Sequence, residues 1–172
     1  SSEKVVNDIK RILDSNKAND KGELFFFKGD LRNKKLVFDI FSEFKNKEKG
    51  IDAVIHFAGL KSVEESLDKP LKYWDSNVNT TLSLLEIMDD FECNSIVFSS
   101  SATIYKSNEH FKLTEDSIKE PTNPYGHNKL TIERILEDLF ISNPKKWRIA
   151  NLRYFNPVGA HESGYIGENP QI

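Results

Sequence analysis

Short apolar runs alternating with amphipathic helical stretches constrain this chain more than any other feature. Residues 51–57 (Ile-Asp-Ala-Val-Ile-His-Phe) are nearly all apolar, too short for a typical helix and suited to a strand. Residues 96–99 and 147–155 have the same character, and residues 23–28, with Leu24-Phe25-Phe26-Phe27, read as a further short buried strand. Between these runs the apolar positions follow helical spacing. The helices are residues 3–13 (Val5, Ile9, Ile12), 33–47 (Val37, Ile40, Phe41, Phe44), 70–89 (Trp74, Val78, Leu82, Leu85) and one opening at Tyr125 and running through Leu130, Ile132, Leu136 and Leu139. Strand and helix that alternate in this way build a parallel sheet with right-handed crossovers, here an α/β doubly wound layer with helices on both faces. The 51–57 run is accordingly expected to be covered on both sides. Residues 16–22 read as a polar loop, and 156–172, with Pro157, Gly159, Gly164, Gly167 and Pro170, as a loop-like tail.

Composition removes several function classes. A formal net charge of −3 makes no electrostatic case for nucleic acid or an anionic membrane as partner. Cys93 is the single cysteine, so no internal disulfide can form, and the four histidines show no ligand spacing; no metal is expected. No apolar run approaches the roughly 18 residues of a membrane span, and cytoplasm is the default location. At 172 residues, 38% hydrophobic, the chain amounts to one globular domain. It opens on Ser1-Ser2-Glu3 without an initiating Met, and is expected to be a piece of something longer.

The candidate chemistry lies in Ser99-Ser100-Ser101-Ala102-Thr103 and Pro124-Tyr125-Gly126-His127-Asn128-Lys129. Tyr125 and Lys129 are four apart on a helix, hence on one face, one turn apart. A phenol with a pKa of about 10 is a poor base at neutral pH. A neighbouring ammonium, with a cationic cofactor ring nearby, favours the phenolate. Ser101 ends an apolar run, so its hydroxyl sits at the carboxyl end of a strand, where open α/β sheets place ligands. The three groups then form a proton relay around a substrate hydroxyl. The same spacing equally describes a half-buried aromatic beside a solvated charge. The Gly-x-Gly-x-x-Gly turn that cradles a pyrophosphate is absent, so either no dinucleotide binds or that loop lies upstream of Ser1.

Six segments, in order over essentially the whole chain, carry a resemblance. They are Gly29-Asp30-Leu31-Arg32, Val54-Ile55-His56-Phe57-Ala58-Gly59-Leu60-Lys61-Ser62-Val63, and Asn77-Val78-Asn79. Then come Phe98-Ser99-Ser100-Ser101-Ala102-Thr103-Ile104-Tyr105, Pro124-Tyr125-Gly126, and Leu152-Arg153-Tyr154-Phe155-Asn156-Pro157-Val158-Gly159-Ala160-His161. Together they resemble the extended short-chain dehydrogenase/reductase family, and most closely its sugar-nucleotide 4-epimerases. The resemblance implies a Rossmann-like NAD-binding domain and NAD-dependent interconversion of UDP-glucose and UDP-galactose, through a 4-keto sugar that rotates and is reduced on its other face.

The resemblance also implies roles. Tyr125, Ser101 and Lys129 match the catalytic set, all three also touching the cofactor and the first two the substrate. Asp30 is expected at the adenine with Leu31 packed beside it. Phe57, Ala58, Gly59 and Lys61 are expected along the dinucleotide, Asn77 at the cofactor from the middle helix, and Phe155 at the nicotinamide. Asn156 is expected at the UDP diphosphate. Two departures, Lys106 and the pair His127-Asn128, read as tolerable on loop and helix surface. Residues 1–172 are expected to be a partial NAD-binding domain, with 156–172 leading toward a substrate domain, and to be inactive alone. Relatives often form a homodimer through the helices carrying Trp74 and Tyr125. A 4,6-dehydratase would need an acidic pair where Ala102 and Thr103 stand, and a non-catalytic nucleotide-binding module would not need the Tyr-Lys pair.

Overall fold

The computed structural model describes residues 3–15, 22–47, 49–106 and 112–167. Its architecture is α/β, built on a parallel sheet. The chain divides into two compact units, Gly29–Phe155 and the pair of segments Ser1–Lys28 and Asn156–Ile172.

The larger unit holds the sheet. Strands β1 (Val54–His56), β2 (Ser95–Ser101) and β3 (Arg148–Tyr154) run parallel in the order β1-β2-β3. In register, Val54 lies beside Ile96 and Ile96 beside Ile149, while His56 lies beside Phe98 and Phe98 beside Asn151. Neighbours across a parallel ladder share a face, so Val54, His56, Ile96, Phe98, Ser100, Ile149 and Arg153 form one side of the sheet. Helices cover that side. α2 (Lys34–Asn46) packs against α5 (Thr80–Asp90), and α6 (Pro124–Ser142) lies on β2 and β3. The core joins Phe41, Leu85, Met88, Phe98, Leu136 and Trp147.

Among the described residues of Gly29–Phe155 the opposite side of the sheet carries no helix. Ile55 is 63% exposed and Leu152 42%. A continuous apolar strand signals burial on both faces only when the chain supplies two layers. Within Gly29–Phe155 the described residues supply one.

Capping decides where the helices begin. Asn33 accepts the Leu36 N–H at the start of α2 (3.2 Å), and Ser62 accepts the Glu65 N–H at the start of α3 (Val63–Asp68; 3.1 Å). Asn123 accepts the Gly126 N–H (2.8 Å), and Pro124 occupies the first turn of α6. The helix expected over 70–89 is present but not uniform. α4 (Pro70–Tyr73) passes into a π-helical segment (Trp74–Asn79) before α5. Within it the Asn77 carbonyl accepts the Thr81 hydroxyl (2.7 Å), a side-chain bond that supports the widened turn. Among the described residues no helix is long and apolar enough to cross a membrane.

In the smaller unit α1 (Glu3–Ser15) forms as its periodicity predicts. The strand expected over 23–28 does not. Residues 22–28 join no ladder among the described residues, and Phe25, Phe26 and Phe27 are all exposed. An apolar run becomes a strand only beside a neighbour that pairs its N–H and C=O groups. Part of the polar loop at 16–22 lies outside the described residues.

His56 gives this fold a testable pH dependence. It is buried on the helix-covered side, with Nε2 2.9 Å from the Thr81 hydroxyl. That hydroxyl donates to Asn77, so its oxygen is left to accept, and Nε2 of a neutral ring donates. Burial, aided by the Lys129 charge, pushes the imidazole down to about 4. The unfolded chain therefore binds a proton between about 6.5 and 4 that the native state refuses, and stability falls with acidity in that window. From pH 7 to pH 5 the loss from this group is about 2 kcal/mol. Urea unfolding of the protein and its His56→Gln variant at both pH values measures it; equal slopes in the two proteins would refute the assignment.

Candidate active site

The site is assembled where β2 ends and α6 begins. Ser101 closes β2 and caps the 3-10 turn Ala102–Ile104, its hydroxyl oxygen accepting from the Thr103 N–H (3.2 Å) and the Thr103 hydroxyl (3.0 Å). Tyr125 stands in the first turn of α6. Its N–H reaches Ser66 Oγ (3.3 Å), and Ser66, fully buried in α3, donates to the Val63 carbonyl (2.6 Å). One turn on, the buried Lys129 donates from Nζ to the Ser99 carbonyl (2.6 Å) and lies 4.7 Å from the Phe98 ring centroid and 5.7 Å from that of Tyr125. The expected trio thus converges on the carboxyl end of β2.

Its electrostatics differ from the simple expectation. Burial pulls the Lys129 ammonium down to about 8. Burial also pushes the Tyr125 phenol above its ordinary value, and the Ser101 hydroxyl pulls the other way. The lysine's proximity alone does not outweigh the desolvation of a buried phenolate.

Four of the residues expected at a dinucleotide, Asp30, Leu31, Ala58 and Gly59, line a cleft of about 350 Å3 together with Gly29 and Thr80 among others. Gly59 has φ +153, and a Cβ there would lie 3.0 Å from Asn77 Oδ1. Asn77 is buried and spends its amide on the loop: Oδ1 accepts the Leu60 N–H (2.8 Å) and Nδ2 donates to the Leu60 carbonyl (3.1 Å). It shapes the strand-end segment from below. Asp30 grips Arg32 through Nε (3.1 Å) and Nη2 (2.6 Å) and accepts its N–H (2.9 Å), while Arg32 Nη1 reaches Asp75 (3.2 Å). That guanidinium holds the Asp30 carboxyl down to about 2. Leu31 is half-buried, and Phe57, Ala58 and Lys61 are exposed at the strand end. Phe155, 62% exposed, lines a cleft of about 370 Å3 with Tyr105, Leu113, Arg153 and Tyr154. Asn156 belongs to the smaller unit and is exposed.

Three features escaped the sequence reading. Asn128, expected on the surface, is fully buried, its Oδ1 facing Asn77 Nδ2 at 3.5 Å. Ser66 carries no signal in the sequence. Glu133 carries one: it is four residues past Lys129 and eight past Tyr125, on the same face of α6, and pairs with Arg153. The other departures sit as expected, His127 exposed and Lys106 paired with Glu120 at 2.8 Å.

Comparison with known proteins extends the geometry. The family model described as "NAD dependent epimerase/dehydratase family" matches residues 4–169. UDP-glucose 4-epimerase 2 of Oryza sativa subsp. japonica is 46% identical over 170 residues, 99% of this chain and 39% of the relative. The UDP-glucose 4-epimerase of Bifidobacterium longum, solved in complex with NAD+ and UDP, superposes with a TM-score of 0.85 at 42% identity, over 99% of this chain and 48% of that one. The Stenotrophomonas maltophila enzyme, solved with bound NAD and formylated UDP-arabinopyranose, gives 0.84 at 41%, over 99% of this chain and 47% of that one. The chain thus spans less than half the length of these relatives. With the match running through all six segments and the parallel sheet they build, this chain belongs to the NAD dependent epimerase/dehydratase family.

Proposed function

We propose that the protein interconverts UDP-glucose and UDP-galactose at C4 of the sugar, with NAD as a resident cofactor. The observation that carries this reading is the convergence of Ser101, Tyr125 and Lys129 at the carboxyl end of β2. The main chain at Gly59, lining the neighbouring cleft with a φ of +153 that side-chain-bearing residues rarely adopt, suits a dinucleotide lying close to backbone. Asp30, Leu31, Phe57, Ala58, Gly59 and Lys61 would hold the cofactor along that cleft. Asn77 supports the loop, Lys129 reaches the ribose, and Phe155 stands by the nicotinamide. When bound, NAD supplies the hydride acceptor and donor and a positive ring charge.

Tyr125 takes the proton of the sugar 4-hydroxyl and returns it after the 4-keto sugar has turned over. Ser101 bonds the same oxygen and relays the proton, while the Thr103 N–H and hydroxyl orient the Ser101 oxygen. Lys129, anchored on the Ser99 carbonyl, keeps its charge on the phenol's side of the helix. Asn156 meets the UDP diphosphate. A homodimer formed through the helices carrying Trp74 and Tyr125 is part of this reading, supported by the exposed Leu71 and Leu82. So is inactivity of residues 1–172 alone, supported by the open side of the sheet at Ile55 and Leu152.

The test is a coupled assay for UDP-glucose formed from UDP-galactose, with the full-length protein and with residues 1–172. Turnover is expected only for the former. A stable 4-keto-6-deoxy product, or no product from the full-length protein, overturns the reading.

A further inference from the structure

We infer that Glu133 and Arg153 form a positioning pair that holds the Ser101 hydroxyl in register with Tyr125; the inference rests on the catalytic reading above. Neither residue belongs to the expected site, yet their ion pair ties together the four segments that carry it. Arg153 donates from Nε to Glu133 Oε1 (3.0 Å) and from Nη2 to Oε2 (2.8 Å). Its Nη1 donates to the Tyr105 hydroxyl (2.7 Å) and to the Glu115 carbonyl (3.0 Å). Glu133 Oε1 also accepts the Ser100 hydroxyl (2.5 Å).

Each partner adjoins a residue of the proposed reaction. Ser100 precedes Ser101 and lies beside Arg153 in the ladder. Tyr105 ends the 3-10 turn that Ser101 begins. Glu133 is one turn beyond Lys129 and two beyond Tyr125 on α6. Arg153 precedes Tyr154 and Phe155. The pair therefore fixes the β2 end and its turn against the helix that presents the phenol.

Net stability does not explain the arrangement. The Glu133 side chain is 6% exposed and that of Arg153 17%. At such burial desolvation offsets most of the Coulomb gain, and an apolar pair of similar volume folds about as well. What an apolar pair lacks is the fixed geometry of a guanidinium fork with five directed donors. Reaction between oriented groups is sensitive to that geometry, a displacement of about 1 Å costing on the order of a hundredfold.

Because either residue removed alone leaves a buried charge, the decisive variant is the full-length protein carrying Glu133→Leu together with Arg153→Met. It is expected to unfold within a few degrees of the unaltered protein. Its kcat for UDP-galactose per folded site is expected to fall by about 10- to 100-fold with KM within about threefold, since geometry, and not binding, is lost. A merely structural pair leaves kcat unmoved, and a kcat within about twofold of the unaltered protein overturns the inference. Should the double variant fail to fold, Arg153→Lys keeps the charge and loses the fork. It is expected to lose about tenfold in kcat, and an unchanged kcat again overturns the inference. Tyr125→Phe separates the two claims. If it stays active, the catalytic reading fails; if it is inactive and the pair variants are not, only the positioning role fails.

Discussion

Replacing Tyr125 with Phe is expected to lower turnover of the full-length protein by about 10²- to 10⁴-fold, the range a positioned general base contributes. The substitution is clean because it removes one oxygen and little else. The bonds that set the start of α6 run to main-chain N–H groups, from Tyr125 to Ser66 and from Gly126 to Asn123, and Phe keeps both. The ring is buried and keeps its packing. What disappears is the proposed proton acceptor, the hydroxyl that is hydrogen-bonded to Ser101. Steady-state kcat and KM, with circular dichroism to verify the fold, decide the matter. A kcat within a few-fold of the unaltered protein would remove Tyr125 from the reaction.

The upward displacement of the Tyr125 phenol sharpens that expectation. Lys129, drawn down to about 8, is still protonated at neutral pH, yet burial dominates the phenol. A buried Tyr–Lys pair is therefore a latent base. On the proposed reading it needs further positive charge in front of it to ionise, which would tie proton removal to a loaded cofactor site.

Gly126→Ala is the second substitution with a large expected effect, and its mechanism is steric. A Cβ at this position would lie 2.6 Å from the Thr103 carbonyl oxygen and 2.9 Å from Pro121 Cβ. Neither neighbour can yield cheaply, since one is main chain and the other a buried proline ring. The first turn of α6 must move away from the 3-10 turn. Overpacking of this kind costs about 3 kcal/mol when both walls are rigid. The displacement also separates Tyr125 from Ser101, so kcat falls along with the unfolding midpoint. Denaturant unfolding at neutral pH measures the first effect and the coupled assay the second. A variant with unaltered stability would mean that α6 and the turn are not in the contact described.

The alternation of apolar runs and amphipathic helices determined β2, β3, α2 and α6, because a repeat of 2 or 3.6 residues is written into neighbours a few positions apart. The Tyr125–Lys129 spacing and the Asn123-Pro124 start of α6 are local in the same sense. Tertiary structure decided what depends on partners distant in sequence. It left residues 22–28 outside the sheet, opened one side of that sheet at Ile55, turned Asn77 onto the Leu60 main chain and buried Asn128. It also paired Glu133 with Arg153, 20 residues away, and raised the Tyr125 phenol that spacing alone would lower. Hydrogen-bond partners and desolvation are set by which segments the folded chain brings together, and no periodicity encodes that.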